Sequence, residues 1–232
     1  MIIKDLDLLN VFNLTDIDKE KLITFYNFVI EENKKYNLTA ILNEEDFIIK
    51  HFYDSYSLIL YKEFEDNTNV VDLGPGAGFP SIPLAIKYPN VSFYLVETNK
   101  KKCLFLSLVK EKLNLNNIYV INSRFEELDD KYRNYFDYAI TRAVSELRII
   151  SELILPFIKI NGTFFAYKGI SYKEEEIKAK NTLKALNSSI NLEFKYTLPT
   201  INQDRYIVVI TKNNKTDKKY PRSYSTILNK PL

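Results

Sequence analysis

Three of the five glycines in this 232-residue chain, Gly74, Gly76 and Gly78, fall within five positions, in the run Val70-Val-Asp-Leu-Gly-Pro-Gly-Ala-Gly-Phe-Pro. A chain this sparing with glycine concentrates it where the backbone must do something special. The run joins a short apolar strand to a helix. Such a turn lets bare backbone approach a ligand, and the helix start offers free N–H groups. The spacing is Gly-x-Gly-x-Gly. The dinucleotide pattern Gly-x-Gly-x-x-Gly fails because Phe79 stands where its last glycine belongs. Asp72, two residues before the turn, adds a negative charge that would repel a pyrophosphate. It suits a cationic ligand, such as the sulfonium and amino group of S-adenosylmethionine. The competing reading is a tight strand-to-helix turn that holds nothing. Glu97 closes the next strand, where a carboxylate can accept two hydrogen bonds from a ribose diol. Nicotinamide enzymes use the same device, and a solvated strand-end acid is the plainer alternative.

Other chemistry is narrowed by counting. One cysteine, Cys103, excludes an internal disulfide and any multi-thiolate metal site. It lies within Lys101-Lys-Cys-Leu-Phe-Leu and is read as core. The one histidine, His51, removes most metal and triad chemistry. It shares a helix side with Phe47, Phe52 and Ser55, and is expected to be buried against Asp54 or a backbone carbonyl; contact with a ligand or RNA is the alternative. Lys and Arg total 32 against 30 Asp and Glu, so no global nucleic-acid signature exists. From Lys212 onward, however, the bases Lys212, Lys215, Lys218, Lys219, Arg222 and Lys230 face only Asp217. A basic tail can hold a phosphate backbone, and a frayed terminus reads the same way. No apolar run approaches the roughly 18 residues of a membrane span. The opening Met1-Ile-Ile-Lys-Asp-Leu-Asp has acids where a leader would have bases. A soluble cytoplasmic protein without metal is expected, and nothing demands more than a monomer.

The elements that must position these residues read as follows. Residues 1–65 are helical. Asp16 or Asp18 caps a helix with an apolar stripe of Leu22, Phe25, Tyr26 and Val29. A second helix from about Asn43 to Tyr61 turns Phe47, Ile48, Phe52, Leu58 and Ile59 inward. From Val70, short apolar strands alternate with helical stretches. Strands are expected at 70–73, 91–96, 118–121, 138–140 and 163–167, and helices at 99–113, 145–155 and 173–186. Two adjacent strands, 192–198 and 206–211, close the pattern. Five β–α units followed by two strands without a helix between them imply a mostly parallel sheet with one antiparallel end, its right-handed connections covering both faces.

At this point the chain resembles a known family. Asp72-Leu-Gly-Pro-Gly-Ala-Gly-Phe-Pro-Ser-Ile-Pro-Leu is similar to the signature of the bacterial 16S ribosomal RNA guanine-N7 methyltransferases, also called the glucose-inhibited division protein B family. Tyr36-Asn-Leu-Thr-Ala and Lys50-His-Phe-Tyr-Asp-Ser resemble its N-terminal motifs. Asn122-Ser-Arg-Phe-Glu-Glu-Leu, Thr141-Arg-Ala-Val, Tyr167-Lys-Gly and Arg205-Tyr-Ile-Val-Val-Ile resemble later ones. The resemblance runs over roughly residues 30 to 232, ending with Tyr220-Pro-Arg and Asn229-Lys-Pro-Leu. Two departures stand out: Ser81 replaces the glycine usual after Phe-Pro, and Glu97 stands where many members have Asp.

The resemblance implies an α/β fold, the class I S-adenosylmethionine-dependent methyltransferase fold, with a Rossmann-like seven-stranded doubly wound sheet. It divides the chain into a helical N-terminal extension (1–65), a cofactor-binding methyltransferase domain (66–212) and a basic C-terminal tail (213–232). It implies that Gly74 and Phe79 contact S-adenosylmethionine within a site that also holds Gly76, Gly78, Asp72 and Glu97. Phe125 and Glu126 would flank the adenine. Arg142 would reach the methyl donor or the target base, with Arg124 as a second catalytic candidate. Lys168 and Arg205 would lie near the RNA, joined by Arg222 from a flexible tail. The implied target is N7 of guanine 527 in the 530 loop of 16S ribosomal RNA, on the RNA or on the small subunit.

The chemistry agrees. Guanine N7 has an in-plane lone pair and no proton to lose, so attack on a sulfonium methyl needs no general base. It needs in-line placement and tolerance of charge moving from sulfur to the purine. The chain lacks the Asn/Asp-Pro-Pro-Tyr/Phe motif of exocyclic-amine methylation and a Pro-Cys nucleophile for pyrimidine C5. Arginines suit guanine and phosphate, although each alone could equally be a surface ion pair. Two rivals remain: an NAD(P)-dependent oxidoreductase, and a non-catalytic RNA-binding protein of the same fold.

Overall fold

A computed structural model describes residues 6–232; the first five residues, which enter the leader argument above, lie outside the described residues. The sheet is built from strands whose side chains alternate between two faces. In β1 (Asn69–Leu73), Val70 joins one core layer while Val71 and Leu73 join the other. The same alternation holds for Leu95 and Val96 in β2 (Ser92–Glu97), and for Ala139 and Ile140 in β4 (Phe136–Arg142). With β3 (Ile118–Asn122), β5 (Ile158–Lys168), β6 (Ser188–Leu198) and β7 (Gln203–Lys212), the strand order is β3-β2-β1-β4-β5-β7-β6. β1 to β5 pair in parallel, and β7 runs antiparallel between β5 and β6. The order reverses between β1 and β4, the position where doubly wound sheets open a crevice at their strand ends.

The N-terminal helices do not stand apart from the sheet. α1 (Asp16–Tyr36) buries Leu22, Phe25, Tyr26 and Val29, the stripe expected from the sequence, in the layer that also holds α4 (Ser81–Lys87) and α5 (Lys100–Lys112). Its cap differs from the expected aspartates. Thr15 caps the helix with Oγ1 accepting from Asp18 N at 3.2 Å, while the Asp18 carboxylate accepts from Thr15 N at 2.9 Å. Three capping side chains lie within four residues here, and the reciprocal box decides among them. The second helical run is not one α-helix. α2 (Glu44–Phe47) passes into a π segment, Ile48–Tyr53, then α3 (Asp54–Tyr56) and a 3-10 turn, Ser57–Leu60. Wide π turns inside helices are often found at functional sites; this one carries Lys50 and His51. Of its expected inward residues, Phe47, Ile48, Phe52 and Leu58 are buried and Ile59 is partly covered.

The opposite layer packs α6 (Leu147–Ile154) and α7 (Tyr172–Ala185) on Val71, Val96, Phe136 and Phe164. The C-terminal segment belongs to this layer too. Tyr220 and Ile227 of 213–232 are buried in it, and α8 (Tyr224–Asn229) lies alongside. The flexible tail expected from its charge is therefore a packed element, held by the burial of Tyr220 and Ile227 and by the pair of Arg222 with Glu152.

Candidate functional site

The turn after β1 is shaped by its glycines. Gly74, Gly76 and Gly78 have φ of 67°, 59° and 98°, the left-handed region that favours glycine. At Gly78 a Cβ would stand 2.4 Å from Ile82 Cγ1, so the first turn of α4 can pack here only on a bare backbone. Gly74 N donates to Val96 O at 2.9 Å and Gly76 N to Glu97 Oε2 at 3.3 Å, which ties the turn to the end of β2. Thr141 Oγ1 donates to Leu73 O at 3.0 Å and fixes the strand end from the β4 side.

Two cavities border the loop after β4, and the first of them also borders this turn. The first, about 270 Å³, is lined by Gly74, Glu97, Thr98, Ser123, Arg124, Phe125, Glu126, Val144 and Tyr224, among others. Glu97 Oε1 accepts from Asn99 N at 2.9 Å, which holds the carboxylate at the cavity wall. Phe125 is buried and offers an apolar face; Arg124 Nε pairs with Glu126 Oε1 at 2.7 Å on the rim. The second, about 470 Å³, is lined by Lys50, His51, Asp54, Arg142, Ser145, Tyr167, Lys168, Glu175 and Arg205, among others. Four of these are bases and two are acids. Lys168 Nζ donates to Ser145 O at 2.7 Å and to Glu175 Oε2 at 2.6 Å; burial lowers its pKa from the usual lysine value, against the pull of Glu175. The loop itself is strained at Ala143, a non-glycine residue with φ of 55°.

Arg142 is the most constrained base in the second cavity. Its Nη1 donates to Asp54 Oδ2 at 2.8 Å and to Lys50 O at 2.9 Å, and its Nη2 lies 3.0 Å from His51 Nδ1. Tyr196 OH donates to the other Asp54 oxygen at 2.6 Å. The His51 ring stacks on Phe79, 4.3 Å between centroids and 5° from parallel, and Arg142 Cζ sits 5.2 Å from the same ring. His51 Nε2 is 3.0 Å from Thr39 Oγ1. Burial first, and the Arg142 charge second, push the His51 pKa down to about 3. The expectation of a buried histidine holds, but its ring partners are Arg142 and Thr39 rather than Asp54 or a backbone carbonyl.

The sequence-predicted residues thus divide. Gly74, Glu97, Arg124, Phe125 and Glu126 meet in the first cavity; Arg142, Lys168 and Arg205 meet in the second. Phe79 and Asp72 line neither. The Phe79 ring is buried against His51, and Asp72 sits behind the turn, its Oδ2 accepting from Ser81 Oγ at 2.5 Å. Its Oδ1 is buried without a partner, and burial raises its pKa to about 8, so the free negative charge expected from the sequence is suppressed. Gly76 and Gly78 shape the turn without lining a cavity. Arg222 is committed elsewhere: its Nε and Nη2 donate to Glu152 at 2.6 and 2.7 Å, so the RNA contact expected of it would require breaking a buried pair. Cys103 is buried, with Sγ donating to Glu97 O.

Not assigned to the site from the sequence were Tyr224, Val144, Asp54 and Glu175. Val144 closes the quoted Thr141-Arg-Ala-Val, and Asp54 closes Lys50-His-Phe-Tyr-Asp three residues from His51, so both carried a local signal. Glu175 lies in a Glu- and Lys-rich helix that reads as a solvated face, and Tyr224 lies between Tyr220-Pro-Arg and Asn229-Lys-Pro-Leu, motifs that assign it no role. Among the described residues, no group of three or more His, Cys, Asp or Glu could hold a metal ion, and no helix is long and apolar enough to cross a membrane.

The strand order, with the glycine turn at the point where it reverses, defines the class I S-adenosylmethionine-dependent methyltransferase fold. Solved structures share it: an S-adenosylmethionine-dependent O-methyltransferase from Thermotoga maritima (TM-score 0.54, 14% identity, 82% of this chain and 73% of that one) and M. jannaschii TYW2 in complex with AdoMet (TM-score 0.53, 17% identity, 74% and 77%). The likeness to known sequences is closer. The chain is 44% identical over 214 residues to ribosomal RNA small subunit methyltransferase G of Fusobacterium nucleatum (92% of this chain, 91% of that protein). It is 40% identical over 221 residues to that of Carboxydothermus hydrogenoformans (93% and 94%). The family model for rRNA small subunit methyltransferase G matches residues 18–207, and the chain belongs to that family.

Proposed function

We propose that this chain transfers the methyl group of S-adenosylmethionine to N7 of guanine 527 in the 530 loop of 16S ribosomal RNA, acting as a cytoplasmic monomer on the RNA or the small subunit. The observation that carries this reading is the loop after β4. Val144 lines the first cavity, while its neighbours Arg142, Ala143 and Ser145 line the second, so two ligands would meet across a single turn of chain.

The residues of the first cavity fit the cofactor. Glu97 presents a carboxylate at the end of β2, where a ribose diol can donate to it. Gly74 lets the ligand approach backbone, and Phe125 gives a purine an apolar face. The M. jannaschii neighbour was solved in complex with AdoMet, which supports the same ligand class here. When bound, S-adenosylmethionine supplies an electrophilic methyl on a positively charged sulfur.

The second cavity suits guanine within an RNA strand. Lys50, Lys168 and Arg205 provide positive charge for the flanking phosphates. Three acceptors already hold the Arg142 guanidinium, so its orientation is set before substrate arrives. Its remaining N–H groups can donate to guanine O6 and leave N7 free as the nucleophile. No side chain has to remove a proton, and the cavity holds no free carboxylate poised to do so: Asp54 is paired with Arg142 and Tyr196, and Glu175 with Lys168. Catalysis then rests on alignment and fixed charge.

Calorimetry separates this from the oxidoreductase reading: S-adenosylhomocysteine binds and NADH does not. Label from S-adenosylmethionine entering 16S RNA separates it from a non-catalytic binder. NADH binding without S-adenosylhomocysteine binding overturns the proposal.

A further inference from the structure

The first cavity has a wall that comes from the far end of the chain. Tyr224, the first residue of α8, lines it together with Arg124, Phe125 and Glu126, and Arg124 Cζ lies 5.3 Å from the Tyr224 ring centre. The family match ends at residue 207, so this wall lies outside the matched region.

Tyr224 is not on a loose end. Arg133 Nη1 donates to Tyr220 O at 2.7 Å, and the Tyr220 ring is buried. Two residues before Tyr224, Arg222 makes a two-pronged pair with Glu152, and Glu152 Oε1 also accepts from Arg222 N at 3.2 Å. The Glu152 side chain is 1% exposed. A bidentate Arg–carboxylate pair fixes direction as well as distance. Ser223 caps α8 through Thr226 N, and Ile227, one turn further on, is buried in the adjoining core layer. The backbone carrying Tyr224 is therefore held on both sides, and the ring is set against the same rim as the Arg124–Glu126 pair.

We propose that residues 213–232 form a strap closing the adenosine end of the cofactor cavity, with Tyr224 as an aromatic contact for the adenine. This rests on the reading that the cavity takes S-adenosylmethionine. A purine is the part of that ligand an aromatic wall suits, because base–aromatic stacking discriminates a flat π system from the aliphatic amino-acid end. The strap also accounts for a packed segment whose single arginine, Arg222, is paired with Glu152 inside the molecule.

The test is calorimetry on the full chain with S-adenosylhomocysteine and with 5′-methylthioadenosine, which lacks the amino-acid end. Tyr224→Phe keeps both dissociation constants within about twofold of wild type, and Tyr224→Ala weakens both by about tenfold. Tyr224→Leu retains apolar bulk without the π face and carries the test if the alanine variant fails to fold; it too weakens both ligands. Constants unchanged in the folded Ala or Leu variant, or a loss confined to S-adenosylhomocysteine, overturn the strap. If wild type binds neither ligand, the cofactor reading falls as well; if wild type binds both and the variants match it, the strap alone falls.

Discussion

The only histidine of the chain faces the guanidinium of Arg142, with His51 Nδ1 3.0 Å from Arg142 Nη2 across 91 positions of sequence. A guanidinium can only donate, so Nδ1 is the acceptor and the ring is neutral, with its proton on Nε2 toward Thr39 Oγ1. The helical extension and the end of β4 are locked together at the cavity proposed for guanine.

This tautomer carries a pH signature. The His51 pKa falls from 6.5 in the unfolded chain to about 3 in the fold, because of burial and then Arg142. Its contribution is full above pH 6.5 and is lost as pH falls toward 3. Between pH 7.5 and 5, wild type should lose roughly 2 kcal/mol more stability than His51→Gln, which keeps a donor and an acceptor but cannot protonate. Urea unfolding at the two pH values measures it; equal losses would contradict a neutral His51.

Asp54 is the other anchor of Arg142. Removing its charge leaves the half-buried Arg142 beside Lys50 O and His51 without this counter-ion. Asp54→Asn should cost about 3–5 kcal/mol in unfolding free energy. Arg142→Lys, which retains charge but cannot reach three acceptors as a planar fork, should lower methyl transfer on the order of 100-fold. Single-turnover rates at saturating cofactor, beside melting curves, separate the two effects.

The glycine turn gives an ordered pair of outcomes. Gly78→Ala meets Ile82 Cγ1 at 2.4 Å as well as an unfavourable φ, whereas Gly76→Ala meets open space and carries only the backbone strain. The Gly76 variant should lose about 1–2 kcal/mol and the Gly78 variant more than that, from overpacking by about 1–3 kcal/mol in addition. Chemical denaturation ranks them; equal losses would mean that α4 shifts to make room.

Ser81 stands where the resemblance leads one to expect a glycine, and the structure shows the contact its hydroxyl makes. Its hydroxyl donates to the carboxyl of Asp72, whose other oxygen has no partner. Ser81→Gly, although it restores the family pattern, should destabilise the fold by about 1–3 kcal/mol, because a buried polar group loses its partner. Unfolding of Ser81→Gly in wild type and in Asp72→Asn backgrounds checks the coupling.

Much of this architecture was legible because it is local. The stripe of α1, the alternation of short strands and helices, and the glycine turn are period and spacing signals read within a few residues. Edges were less legible. β6 begins at Ser188 rather than Leu192, because its first residues are polar and its pairing with β7 shifts between Ile190 and Leu192. β5 reaches back to Ile158 through the exposed Lys159-Ile-Asn and through Gly162, residues outside the expected strand at 163–167 because they lack its apolar run. In the site, Glu97, Phe125 and Arg142 stand at strand ends or just beyond them; Glu97 is read from that place, and Phe125 and Arg142 from the motifs that carry them. Asp72 was assigned a charge that burial suppresses, and Arg222 an exposure that Glu152 removes, since desolvation and long-range pairing leave no mark on local spacing. Tyr224 was invisible for the same reason: it meets Arg124 only in the fold.

The central claim is that the two cavities bring a sulfonium methyl to guanine N7. The measurement is labelled S-adenosylmethionine with small-subunit RNA or particles from a strain lacking this modification, followed by reduction and aniline cleavage. Label uptake and one new cleavage at guanine 527, lost in Arg142→Lys, are the predicted result. Label at another atom or another nucleotide, or none with folded, S-adenosylhomocysteine-binding protein, would contradict it.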